Sequence, residues 1–122
     1  ESARENIKRA GREEDITLLE GDAAIILPKL EGEYDYIFLD AAKGQYKVFW
    51  ESIVKLCRSG GLIVTDNVLQ EGTIVESRYM ILQRDRTIHA RMRDFLYDLT
   101  HCEEFTTSIL PLGDGLALSV KN

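Results

Sequence analysis

The sequence predicts an α/β fold: a mostly parallel sheet flanked by helices and finished by an antiparallel hairpin. Three observations carry that prediction. Residues 34–39 hold the continuous apolar run Ile37, Phe38 and Leu39, and residues 62–64 repeat it with Leu62, Ile63 and Val64; short all-apolar strands of this kind are covered on both faces, as in parallel sheets. Between them, residues 45–57 place Phe49, Trp50, Ile53, Val54 and Cys57 at helical spacing, which completes a strand, helix, strand unit. Finally, residues 105–110 and 116–120 flank PLGDG, whose glycines and aspartate suit a tight reversal.

In chain order, residues 1–12 (ESARENIKRAGR) read as the end of a helix, with Ala3, Ile7 and Ala10 on one face and Gly11 as its stop. No strand and no start methionine stand ahead of that helix, so the chain is expected to be a fragment without its upstream elements. Residues 16–20 read as a short strand leading into Gly21, Asp22 and Ala23. A helix over 24–30 follows, brief or distorted because Pro28 lies beyond a first turn. After the helix over 45–57, Gly60 and Gly61 open the next strand. Residues 68–80 show no period and read as a loop beside the ligand end of the sheet. The strongest helix spans 83–100, where Ile88, Met92, Phe95, Leu96 and Leu99 recur at steps of three and four. In the hairpin, Leu116, Leu118 and Val120 alternate with Ala117 and Ser119.

Length and composition bound the function. A chain of 122 residues makes one domain with a modest core, and 44% hydrophobic with 30% charged residues is ordinary globular composition. A net charge of -6 argues against a broad phosphate-binding face, although Arg84, Arg86, Arg91 and Arg93 form a local basic patch. Cys57 and Cys102 have no metal-ligand spacing and fit a reducing compartment, the cytoplasm by default. No apolar run reaches the roughly 18 residues of a membrane span.

The chemistry sits where the two apolar strands end. The first run stops at Asp40, and the second passes through Thr65 into Asp66 and Asn67. In open α/β sheets ligands bind outside the carboxyl ends of the strands, so three oxygen donors reach that crevice. The competing account is plain: an aspartate at a strand end also serves as a turn or cap residue, and Asp-Asn is a common turn pair. Tyr46 and Trp50 lie close to these residues in sequence, but their helical spacing assigns them to the core. His89 and His101 have no ligand-like companions and read as surface or interface residues.

Three stretches in this order, DYIFLDAAKGQY, RSGGLIVTDNVL and LPLGDGLALSVK, resemble the metal-dependent class I S-adenosylmethionine O-methyltransferases, the family of catechol and caffeoyl-CoA O-methyltransferases. The DAAKGQY wording is most similar to the bacterial tRNA 5-hydroxyuridine methyltransferases. The resemblance implies a Rossmann-like sheet with helices on both faces and the last strand inserted antiparallel, here without the first strands and the Gly-rich loop. It also implies an apolar edge left bare by the missing first strand, which should be covered by a partner chain, as in a homodimer, or paired abnormally. S-adenosylmethionine and Mg²⁺ or a similar cation are the implied cofactors.

By the same resemblance Asp40, Asp66 and Asn67 match the metal ligands, and Lys43 matches the catalytic lysine that takes the hydroxyl proton or holds the oxyanion. Asp22 and Ala23 match the adenine contacts, and Asp40 also touches the cofactor. A helix cap is the other account of Asp22, and a solvated side chain that of Lys43. The implied acceptor offers two chelating oxygens: 5-hydroxyuridine in tRNA, or a small catechol-like phenol. A noncatalytic α/β remnant that cannot bind the cofactor is the alternative from another class.

Overall fold

The computed structural model describes residues 2–41, 45–69 and 86–122. Helix α1 (Ala3–Arg9) opens with a capping box, in which the Ser2 hydroxyl accepts from the Glu5 amide while the Glu5 carboxylate accepts from the Ser2 amide. Two otherwise orphaned donors are thereby satisfied. The helix expected over residues 1–12 spans seven residues here, and it buries none of them.

Residues 16–20 do not form the expected strand. The sheet has four strands in the order β1-β2-β4-β3, and a segment becomes a strand only when a neighbour's N–H and C=O groups meet its own. Among the described residues nothing pairs with 16–20, and Ile16 and Leu19 stay 47% and 51% exposed. The next helix is distorted as Pro28 dictates: α2 (Ala23–Ile26) lasts one turn and tightens into a 3-10 turn over Leu27–Lys29 that contains the proline.

Strand β1 (Tyr34–Leu39), helix α3 (Tyr46–Leu56) and strand β2 (Cys57–Thr65) form the central unit. β1 and β2 are parallel, with Ile37 opposite Ile63 and Leu39 opposite Thr65. Helix α4 (Arg86–Thr100) leads to strands β3 (Phe105–Leu110) and β4 (Leu116–Lys121). β4 lies between β2 and β3, antiparallel to both.

The core lies on one sheet face, where Ile63 and Ala117 are fully buried against Phe49 and Ile53 of α3 and Met92, Phe95 and Leu99 of α4. Side chains of this size each contribute roughly 1.5–3 kcal/mol on burial. Trp50 belongs to this layer, its ring 5.5 Å from Phe95 and 5.3 Å from Phe105. The opposite face carries Tyr36, Phe38 and Val120, all exposed.

His89 departs from expectation. It is only 3% exposed, because it lies three residues before Met92 and so shares the buried stripe of α4. His101 is exposed and stacks on Tyr97, with ring centroids 4.0 Å apart. Lys121 closes α3 from outside the helix, its ammonium donating to the carbonyls of Val54 at 2.8 Å and Cys57 at 3.0 Å. Burial pushes the Cys57 thiol above its ordinary pKa, against the opposing pull of Lys121 and Arg58. Among the described residues, the buried Thr65 hydroxyl finds no hydrogen-bond partner.

Candidate metal and cofactor site

The parallel register of β1 and β2 ends both strands at the same level, since Leu39 pairs with Thr65. Asp40 and Asp66 therefore leave the sheet side by side, and the Asp66 amide donates to the Leu39 carbonyl at 3.1 Å. Asn67 turns back toward β1 with a left-handed φ of 59°, a conformation that asparagine tolerates better than most residues. Its side-chain nitrogen comes within 3.4 Å of Asp40 Oδ1, and its backbone amide donates to Asp66 Oδ1 at 2.7 Å. Asp40 is exposed, while Asp66 and Asn67 are half-buried.

Two carboxylates and a carboxamide are oxygen donors of the kind hard divalent cations take. Asn67 turns its amide nitrogen toward Asp40, and a half-turn of the carboxamide replaces nitrogen by oxygen with little steric change. Among the described residues no cluster of three His, Cys, Asp or Glu side chains could hold a metal. Asn67 is the third oxygen donor that the described residues place beside Asp40 and Asp66. The residues present fit Mg²⁺ or a similar cation, with the remaining positions left to water or substrate.

Two structures hold the Asp66–Asn67 turn. From α3, the Tyr46 hydroxyl donates to the Asp66 carbonyl at 2.8 Å, and Tyr46 itself is only 1% exposed. Burial first, then the negative charge of Asp40, raises its pKa, while hydrogen bonds from Ala41 and Asn67 pull the other way. From the β3–β4 turn, the carbonyls of Gly115 and Asp114 accept from the amides of Val68 and Leu69 at 3.2 and 2.8 Å. Gly115 has a φ of 87°, and a Cβ there would lie 2.7 Å from the Leu69 Cβ. Only glycine fits so close an approach.

Helical spacing places Tyr46 in the core, where it is, but says nothing of its hydroxyl. The available signal is chemical: a tyrosine at a fully buried helix position needs a partner for its O–H. PLGDG announces a reversal in the sequence, but not that the reversal abuts the strand end.

Asp22 and Ala23 lie on a separate segment before β1. Asp22 is the N-cap of α2, its Oδ1 accepting from the Ala24 amide at 2.9 Å, and Ala23 is the first helical residue. Both are exposed. Lys43 and Arg84 lie outside the described residues, as do positions 70–80 of the expected loop. Arg91 and Arg93 are exposed on α4, and Arg91 lines an open cleft with Lys47, Val48 and Asp94.

An open α/β sheet with an antiparallel strand inserted and oxygen donors at its carboxyl ends defines a domain that binds its ligands at that end. The O-methyltransferase family model matches residues 1–122, and the chain belongs to that family. Caffeoyl-CoA O-methyltransferase 2 of Populus trichocarpa is 32% identical over 122 residues, covering 92% of this chain and 48% of its own. Tapetum-specific methyltransferase 1 of Arabidopsis thaliana is 31% identical over 118 residues, covering 93% of this chain and 51% of its own. The crystal structure of an O-methyltransferase from Bacillus cereus in complex with SAH superposes with a TM-score of 0.82 at 26% identity, covering 98% of this chain and 56% of that one. The chain thus spans about half the length of the curated relatives it matches.

Proposed function

We propose that this chain carries the cation-binding and acceptor-binding half of an S-adenosylmethionine-dependent O-methyltransferase, which methylates a hydroxyl beside a second oxygen. The observation that carries the reading is the approach of Asn67 to Asp40 at the shared end of β1 and β2, with Asp66 beside them. When bound, S-adenosylmethionine supplies the methyl group and a divalent cation supplies the charge that makes the hydroxyl acidic. Asp40, Asp66 and Asn67 would hold that cation, orienting the two acceptor oxygens. Asp22 and Ala23 would receive the adenine, the carboxylate accepting from its exocyclic amine. Lys43 would take the hydroxyl proton or hold the oxygen in place, a role assigned to it by the family resemblance.

The acceptor has two chemistries to choose between. Relatives named as caffeoyl-CoA O-methyltransferases favour a small phenol with adjacent oxygens, whereas the DAAKGQY wording favours 5-hydroxyuridine in tRNA. Methyl incorporation into bulk tRNA, measured beside incorporation into a simple catechol, separates the two. The test of the shared mechanism is Asp66→Ala in the complete protein: metal-dependent methyl transfer should be abolished with limited loss of cofactor affinity. Full activity in that variant would remove the cation assignment.

A further inference from the structure

We infer that Tyr46 is a positioning residue of the cation site, acting through the backbone of Asp66. This inference rests on the reading of Asp40, Asp66 and Asn67 as cation ligands, and adds a residue that touches neither cation nor substrate. Its ring is locked in the core, 1% exposed and 5.6 Å from the Phe95 ring. Its hydroxyl leaves that core to donate to the Asp66 carbonyl at 2.8 Å. That carbonyl belongs to the peptide joining two of the three proposed ligands. Fixing it fixes the step from Asp66 into Asn67, where the backbone turns left-handed at φ 59°.

The arrangement resembles an outer hydrogen bond to a metal ligand, made here to the main chain of Asp66. Such partners pre-set ligand geometry, and their loss typically costs about 10–100-fold in metal affinity. The hairpin restrains the next two residues through Gly115 and Asp114, so Tyr46 and the hairpin hold residues 66–69 from both sides. Without the tyrosine hydroxyl, the Asp66 carbonyl loses its fixed direction and the Asn67 carboxamide its aim at Asp40.

Tyr46→Phe keeps the ring and removes the hydroxyl. Manganese, followed by electron paramagnetic resonance in the complete protein, reads cation affinity without turnover. Tyr46→Phe should weaken Mn²⁺ binding about 10-fold, while Phe95→Leu, which disturbs the same packing but leaves the hydroxyl, should change it less than about twofold. An unchanged Mn²⁺ affinity in Tyr46→Phe overturns the inference, as does an equal loss in Phe95→Leu, which would mark the effect as general loosening. Asp66→Ala, run in parallel, keeps the two ideas apart: loss of Mn²⁺ binding there with none in Tyr46→Phe sinks the positioning role alone. Unchanged binding in Asp66→Ala sinks the site itself.

Discussion

Asn67 Nδ2 lies 3.4 Å from Asp40 Oδ1 across 27 residues of chain, and the contact depends on a backbone conformation as much as on two side chains. With φ at 59°, Asn67 combines two roles that substitutions can separate. Asn67→Ala loses the carboxamide and strains the backbone, and should cost roughly 1–2 kcal/mol of stability. Asn67→Gly loses the same carboxamide without the strain, so its denaturation midpoint should stay near that of the parent. Both should bind Mn²⁺ more weakly. A glycine variant that keeps full cation affinity would show that the turn, and not the amide, matters.

Asp22 also has two roles to separate. Its Oδ1 caps α2 by accepting from the Ala24 amide, and a serine can accept the same bond. Asp22→Ser should therefore unfold at nearly the parent denaturant concentration, whereas Asp22→Ala should lose about 1 kcal/mol. If the carboxylate also receives adenine, calorimetry should show weaker S-adenosylmethionine binding in both variants. Full affinity in the serine variant would leave Asp22 as a cap and nothing more.

The Thr65 hydroxyl is fully buried and has no partner among the described residues. Leaving such a group unsatisfied costs about 1–3 kcal/mol, and valine has nearly the same shape and suits a strand. Thr65→Val should raise stability by about 1 kcal/mol in urea denaturation. A loss of that size instead would show that the hydroxyl has a partner in solution.

Much of the fold is legible in the sequence because its strands end sharply. Ile37 to Leu39 stops at Asp40 and Leu62 to Val64 runs on to Asp66, so both the parallel pairing and the nearness of the polar ends follow from the apolar runs. The hairpin is equally legible through PLGDG. Residues 16–20 are not, because strand formation depends on a neighbour that local composition cannot supply. His89 misleads for a related reason: its type suggests the surface, while its position three residues before Met92 puts it inside. At the site, the strand-end residues are written in the pattern, whereas the Tyr46 hydroxyl and the close approach of Gly115 to Leu69 are relations between distant segments. Spacing along one segment carries no trace of them.

Because β4 enters the sheet between β2 and β3, the last described strand to leave the ribosome is the one that joins its neighbours. Until it emerges, β2 has a bare flank and β3 has no ladder. The wall that Gly115 and Asp114 raise beside Asn67 likewise appears only after β3 has been made. A nascent chain stalled after β3 would thus display the apolar end of β2 with its neighbour missing, the condition in which growing polypeptides most readily stick to one another.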